Sequence, residues 1–216
     1  LMQVFIYNEN GLRVQKTVNG IVTKYTLHGK NVVHMTQGSN ELHFFYDAQN
    51  KPAVVVYNGT PYSYVKNLQG DIVAVYNSAG AKVVSYAYDA WGNCIVTNHN
   101  ISGTNSYATF NPFRYRGYYY DKDLSLYYLS SRYYDSNTGR FINADAITDP
   151  GAGVLNCNIF LYCANNPVNL SDPSGYYSWD EFCEDVYGGI VWIVNTGEKV
   201  IGTDSTWVCE AEYSKQ

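Results

Sequence analysis

The sequence is short of charge: Asp, Glu, Lys and Arg make up 15% of its 216 residues, for a formal net charge of −5. Its lysines and arginines are scattered and form no basic stripe that could neutralise a phosphate backbone, so nucleic acid is not an expected partner. Long apolar runs are missing as well. A membrane-crossing helix needs roughly 20 such residues, and the stretch from Gly188 to Val194 is too short and runs into polar residues. No glycine-rich loop of phosphate-binding form occurs, which argues against nucleotide chemistry. The five cysteines, Cys94, Cys157, Cys163, Cys183 and Cys209, form no CxxC pair and would leave one odd, so buried thiols are expected. Histidine is absent between residues 111 and 175, which removes the base that a nucleophilic Cys157 or Cys163 would require. His28, His34 and His43 sit in strand-like segments without a carboxylate or cysteine at ligand spacing. Packed or solvated imidazoles are therefore expected, with no metal and no other cofactor. The first residue is Leu1, which reads as a piece of a longer chain, and no basic region followed by an apolar run precedes the first strand.

Tyrosine is plentiful, with 23 residues. Together with Asn, Ser, Thr and Gly it suits β structure, and the length suffices for a substantial core. Ile21, Thr23, Tyr25 and Leu27 alternate with Val22, Lys24, Thr26 and His28, the period-two pattern of a half-buried strand. Asn19-Gly20 precedes this run, and Asn58-Gly59 separates 53–57 from 62–65. Asn-Gly between alternating segments signals a tight hairpin, because both turn positions need positive φ. A second pattern is Tyr-[Asn/Asp]-x-x-Gly at Tyr7-Asn8-Glu9-Asn10-Gly11, Tyr76-Asn77-Ser78-Ala79-Gly80 and Tyr88-Asp89-Ala90-Trp91-Gly92. Tyr46-Asp47-Ala48-Gln49-Asn50 is a variant with Asn in the last place. The Tyr closes a strand, the Asn or Asp side chain folds back onto backbone amides, and Gly or Asn takes the left-handed conformation. Strand-turn units at intervals of about 20 residues indicate a repeat array in which each unit buries its face on its neighbours.

The polar stretch from about 98 to 111 reads as a surface loop. A dense aromatic segment follows. It contains Phe113-Arg114-Tyr115-Arg116-Gly117-Tyr118-Tyr119-Tyr120-Asp121, then Leu126-Tyr127-Tyr128-Leu129-Ser130-Ser131-Arg132-Tyr133-Tyr134-Asp135, then Thr138-Gly139-Arg140-Phe141-Ile142. Phe160-Leu161-Tyr162 and Asn165-Asn166-Pro167-Val168-Asn169 continue it, and Asp172-Pro173-Ser174-Gly175 closes it. This ordered series, after the Tyr-Asp repeats, resembles the RHS (YD-repeat) family and its repeat-associated core of bacterial polymorphic-toxin-type proteins. The parts are then a YD-repeat sheet over 1–110, the core over 111–175 and a variable tail over 176–216. The fold expected is all-β: an antiparallel strip, part of a spiralling shell, running as one continuous sheet through residue 175 with almost no helix. In the tail, acids in an early turn and apolar residues at helical spacing over 180–187 suggest a short helix, with Ser178 as its N-cap.

The resemblance implies a secreted or cell-surface delivery protein whose core plugs one end of a shell. Its partners would be its own C-terminal cargo segment, an immunity protein and secretion machinery. The rival is an adhesive repeat protein whose exposed tyrosines and arginines contact carbohydrate or protein. Some members of the family cut themselves just after the core, using an Asp shortly after Gly-Arg-Phe, the Asp of the closing motif and a nearby Arg. Carried over, these are Asp145, Asp172 and Arg140. Asp145 is followed by Ala146 where the family has Pro, whereas Asp149 is followed by Pro150, so Asp149 is the alternative first carboxylate. Paired carboxylates suit hydrolysis, because one can act as general base on water while the other polarises a carbonyl. As plain structural residues, the same three aspartates would start turns.

Overall fold

The structure, a computed structural model, describes residues 2–99, 107–145 and 158–175. The helix expected over 180–187 lies outside these residues, as do Cys157, Cys183 and Cys209. Among the described residues Cys163 is buried and Cys94 half-buried.

Ten strands, β1 (Gln3–Tyr7), β2 (Arg13–Val18), β3 (Ile21–His28), β4 (Asn31–Gln37), β5 (Asn40–Tyr46), β6 (Pro52–Tyr57), β7 (Thr60–Lys66), β8 (Ile72–Asn77), β9 (Lys82–Tyr88) and β10 (Cys94–Asn98), pair in chain order as one antiparallel meander. Two kinds of turn drive it. At the β2–β3 and β6–β7 hairpins Asn19 and Gly20 have φ of 51° and 81°, and Asn58 and Gly59 have 47° and 80°. These are the left-handed pairs that the Asn-Gly signal demands. At the other kind, one side-chain oxygen accepts the N–H groups two and four residues on. Asn8, Asp47, Asn67, Asn77 and Asp89 all do so at 2.9–3.1 Å. The turn at Asn67 escapes the Tyr-first pattern because Lys66 stands where the others carry Tyr. Register shifts fall at the entry to several of these turns, at Ile6/Tyr7, Phe45/Tyr46 and Val65/Lys66.

One face of the meander is the core. Tyr25, Met35, Leu42, Phe44, Val55, Tyr57, Tyr64, Ile72, Val75, Val84 and Tyr86 are all buried on it. The continuous sheet expected through residue 175 does not form. The chain leaves β10 and builds a separate four-stranded antiparallel sheet from β11 (Tyr119–Asp121), β12 (Leu126–Tyr128), β13 (Tyr133–Asp135) and β14 (Arg140–Phe141). The reason lies in the aromatic runs. Tyr118, Tyr119 and Tyr120 are consecutive, so rings project from both sides of the backbone, and a strip solvated on one face would strand half of them in water. Folded across the inner face of the large sheet, the segment covers both.

The surface loop expected over 98–111 is corrected at its C-terminal end. Tyr107–Phe110 forms one helical turn, α1, and Tyr107 is fully buried, stacked on Tyr62 at 4.5 Å between ring centroids. Asn111 is buried too. Its Oδ1 accepts from the Tyr64 and Tyr107 hydroxyls at 2.9 and 3.0 Å, and its Nδ2 donates to the Tyr86 hydroxyl at 2.9 Å. A polar residue is tolerated in the core here because its hydrogen-bonding capacity is filled.

Two of the joints that fix the core segment to the sheet lie near the sheet's two ends. At the N-terminal end Arg13 Nη1 meets Asp121 Oδ2 at 2.7 Å and Lys16 Nζ meets Asp121 Oδ1 at 2.7 Å. The Arg13 guanidinium lies 4.6–5.8 Å from the ring centroids of Phe5, Tyr25, Tyr119, Tyr128 and Tyr133. At the other end the turn begun by Asp89 offers three successive carbonyls, each taken by a core tyrosine. Tyr115 donates to Ala90 at 2.8 Å, Tyr134 to Trp91 at 2.7 Å and Tyr127 to Gly92 at 2.8 Å.

Gly92 has a φ of +88°, and a Cβ there would lie 2.7 Å from the buried Tyr115 ring. Gly80 has a comparable φ of +75° with open space around it. Gly80→Ala is expected to cost about 1–2 kcal/mol from backbone strain alone. Gly92→Ala adds overpacking of about 1–3 kcal/mol, so its urea midpoint should fall well below that of Gly80→Ala. Arg13→Met leaves the fully buried Asp121 with Lys16 alone and should cost about 3 kcal/mol. Lys66→Ala, which removes the half-exposed Lys66–Asp47 pair, should cost under about 1 kcal/mol. Equal midpoints for the two charge variants would show that Arg13 carries no more than a surface pair.

Candidate functional site

The closing motif folds onto the 129–132 turn. Asp172 is fully buried, and its Oδ1 accepts the Gly175 N–H at 2.8 Å and the Ser174 hydroxyl at 3.4 Å. Its own N–H donates to the Tyr118 hydroxyl at 2.9 Å. Ser131 Oγ donates to the Ser174 carbonyl at 2.8 Å. Gly175, with a φ of +71°, sits so close to this turn that a Cβ would lie 2.5 Å from Ser131 Oγ and 2.8 Å from the Leu129 carbonyl oxygen. The last glycine of the motif is therefore required by both backbone angle and space.

At the centre is Arg132. Its Nη1 lies 2.9 Å from Asp145 Oδ2, its Nη2 lies 3.4 Å from Asp172 Oδ2, and its Nε donates to the Gly175 carbonyl. The guanidinium also donates to the Ile159 carbonyl at 3.3 Å and stacks on Phe141, with Cζ 3.6 Å from the ring centroid. Asp145 is held from the backbone, its N–H donating to the Ile159 carbonyl at 2.9 Å, and it retains 13% side-chain exposure where Asp172 has none. One cation thus joins two carboxylates from distant parts of the chain and the carbonyl of the last core residue. Chemically, a guanidinium N–H at a carbonyl oxygen can stabilise negative charge there, and a carboxylate with some access to water can act as a base.

Asp145 and Asp172 are thus brought together, and Asp149 lies outside the described residues. Arg140 is not the cation at this place. It is exposed on β14, where its backbone pairs with Asp135 and Leu161, and alternation along that strand turns Phe141 inward instead. Arg132 carries a signal of its own, an arginine inside a charge-poor aromatic run, but its link to Asp145 and Asp172 is purely long-range. Arg114 lies 4.1 Å from the Tyr120 ring, and Arg116 is buried 5.3 Å from the Tyr115 ring, its Nη1 donating to the Gln69 carbonyl at 3.2 Å. The adhesive reading needs exposed tyrosines and arginines. Tyr25, Tyr57, Tyr64, Tyr86, Tyr115, Tyr118, Tyr127, Tyr134 and Tyr162 are in the core instead, as are Arg114, Arg116 and Arg132.

A sequential antiparallel strip turned by Asn and Asp side chains, with a tyrosine-rich segment closed over its inner face, defines a YD-repeat protein. The chain belongs to the RHS/YD-repeat family, and the Teneurin YD-shell family model matches residues 4–168. Over 179 residues it is 40% identical to the tRNA nuclease WapA of Bacillus subtilis strain 168, a match covering 80% of this chain and 7% of that protein. Over 101 residues it is 37% identical to the double-stranded DNA deaminase toxin A of Burkholderia cenocepacia, covering 47% of this chain and 6% of that one. Its fold is that of the TcdB2-TccC3 crystal structure, with a TM-score of 0.60 at 20% identity over 80% of this chain and 9% of that one. The Photorhabdus luminescens Tc holotoxin pore gives a TM-score of 0.59 at 20% identity, again over 80% of this chain and 9% of that one. The chain spans less than a tenth of the length of each of these proteins. Among the described residues no helix is long and apolar enough to cross a membrane.

Tyr118 places its hydroxyl against the buried Asp172 N–H. Tyr118→Phe should therefore leave that N–H unsatisfied at a cost of about 1–3 kcal/mol. Amide exchange at Asp172 and Gly175 should quicken while that of Val55 and Val75 in the large sheet stays slow. Unchanged exchange at Asp172 would mean that the closing motif is held by Arg132 without help from Tyr118.

Proposed function

We propose that this chain is the closing section of an RHS-type toxin-delivery protein, secreted or displayed at the cell surface, and that it cuts itself after Gly175. The delivery reading rests on family membership together with relatives named as a tRNA nuclease and a DNA deaminase toxin, each matched over a small share of its length. The segment after Gly175 would then be cargo, with an immunity protein and secretion machinery as the corresponding partners.

The observation that carries the cleavage reading is the Arg132 guanidinium, which contacts the Gly175 carbonyl, Asp145 and Asp172 at once. In this reading water attacks the Gly175 carbonyl carbon while a carboxylate takes the water's proton. Asp145 suits that role, because it keeps contact with solvent while Asp172 is committed to holding the Gly175 N–H. The negative charge that develops on the carbonyl oxygen lies beside Arg132 Nε–H. Collapse of the adduct breaks the bond to Tyr176, whose nitrogen takes up a proton, leaving a Gly175 carboxylate and a free Tyr176 amine. The closing turn keeps the bond in place throughout, which is a proximity contribution to the rate.

The test is the intact mass of the purified chain, 24.3 kDa uncut. Wild type should split between Gly175 and Tyr176. Asp145→Asn and Arg132→Met should each slow the split by at least about 100-fold, the size of one general-base or oxyanion contribution, and Asp172→Ala, which lets go of the Gly175 N–H, should slow it by loss of positioning. Asp149→Asn and Arg140→Met should cut normally. A block by Asp149→Asn with normal cutting by Asp145→Asn would assign the base to Asp149, and cutting by Arg132→Met at the wild-type rate would remove the mechanism.

A further inference from the structure

The outward face of the β4–β5 hairpin carries a second cluster, remote from Arg132 in the chain. Hairpin register sets His34 opposite His43 and Thr36 opposite Glu41. Alternation sends Met35, Leu42 and Phe44 into the core and leaves His34, Glu41 and His43 on the open face. The two imidazoles stack, with centroids 4.5 Å apart and planes 24° from parallel. Both Nε2 atoms converge on one carboxylate oxygen, Glu41 Oε1, at 3.0 Å from His34 and 3.3 Å from His43. The reading that no carboxylate stands at ligand spacing is thereby corrected. Glu41 and His43 share a face through one intervening residue, and His34 joins them only through the hairpin register.

We propose that His34, Glu41 and His43 form a binding site for a divalent transition-metal ion, zinc fitting best, with a coordination position left open to water or an incoming side chain. Two imidazole nitrogens and one carboxylate oxygen are a borderline donor set that suits zinc and not the all-oxygen preferences of magnesium or calcium. Bonds of about 2.0–2.2 Å in a tetrahedron put neighbouring donors about 3.4 Å apart. The two oxygen–nitrogen separations are already near that value, and all donor atoms lie within 4.8 Å of one another. The backbone under the site is fixed by a neighbouring turn: Glu41 N–H donates to Asn58 Oδ1 at 2.7 Å, and Asn58 N–H donates to the Glu41 carbonyl at 2.9 Å. An ion here would take the place of the contacts between the imidazoles and Glu41 and tie β4 to β5 on the side away from the core.

The test is titration calorimetry of the whole 216-residue chain with zinc chloride and, separately, magnesium chloride. One zinc ion per chain should bind and magnesium should not. His34→Ala and His43→Ala should each weaken zinc binding by at least about tenfold, and the double variant should abolish it. The substitutions lie on an open face, so the β-type circular dichroism should be unchanged. Glu41→Gln keeps the shape of the side chain and should also weaken zinc, which gives a second reading if a histidine variant misfolds. A wild type that binds no zinc overturns the proposal. So does a folded double variant, or a Glu41→Gln protein, that binds zinc as tightly as wild type, since the ion would then be held elsewhere.

Discussion

A tyrosine ring can be buried whole only if its hydroxyl finds a partner, because a stranded O–H costs about 1–3 kcal/mol. That requirement organises this molecule. Tyr64 and Tyr107 share a 2.7 Å hydrogen bond and both reach Asn111, while Tyr88 reaches the Ile72 carbonyl at 2.7 Å. Tyr162 meets Tyr118, and Tyr118 in turn receives the N–H of Asp172. Each bond fixes a ring that is also held by aromatic neighbours at 4–6.5 Å, so the core is specified by direction as well as by volume. Burial pushes the hydroxyls of Tyr64, Tyr107, Tyr118 and Tyr162 well above the ordinary tyrosine range. The unfolded chain releases these protons near pH 10 and the folded chain does not. Their contribution to stability is therefore complete below that pH and lost as pH rises above it.

The same economy of partners explains how charge is used in a charge-poor chain. Among the described residues, four buried cations bridge segments far apart in sequence. Arg13 and Lys16 hold β2 to Asp121, Arg116 joins the 69–71 turn to Pro167, and Arg132 gathers Asp145, Asp172 and Gly175. Most of these guanidinium groups also lie on aromatic faces, which offset part of the lost hydration. The closing motif is consequently held by the interior of the fold as well as by the hydrogen bonds within its own short loop.

What could be read from the sequence was what is local. The Asn-Gly hairpins and the turns opened by Asn8, Asp47, Asn77 and Asp89 follow from side chains bonding to amides within four residues, and alternation in β3 names its buried face. The turn at Asn67 was hidden because Lys66 replaces the flanking Tyr, although the Asn-to-Gly interval that makes the turn is intact. The burial of Tyr107 and Asn111 and the meeting of Arg132 with Asp172 depend on contacts across 40 or more residues, which no local pattern encodes. The His34–Glu41–His43 cluster lies between these cases. It needs only the register of one hairpin, which Gly38 between two alternating runs could have supplied.

The turn begun by Asp89 meets the core segment through three main-chain carbonyls, each filled by a tyrosine hydroxyl, and through the Trp91 ring, which lies against Gly139. Such a docking surface is written largely in backbone conformation, with Gly92 and Trp91 as the two residues of the turn whose identity it depends on. Any repeat with the same turn could offer the same row of acceptors. At this joint the core segment is therefore portable: the strands that present the turn can diverge in sequence and the seat still forms, whereas the joint at Asp121 asks for a particular cation from one particular strand.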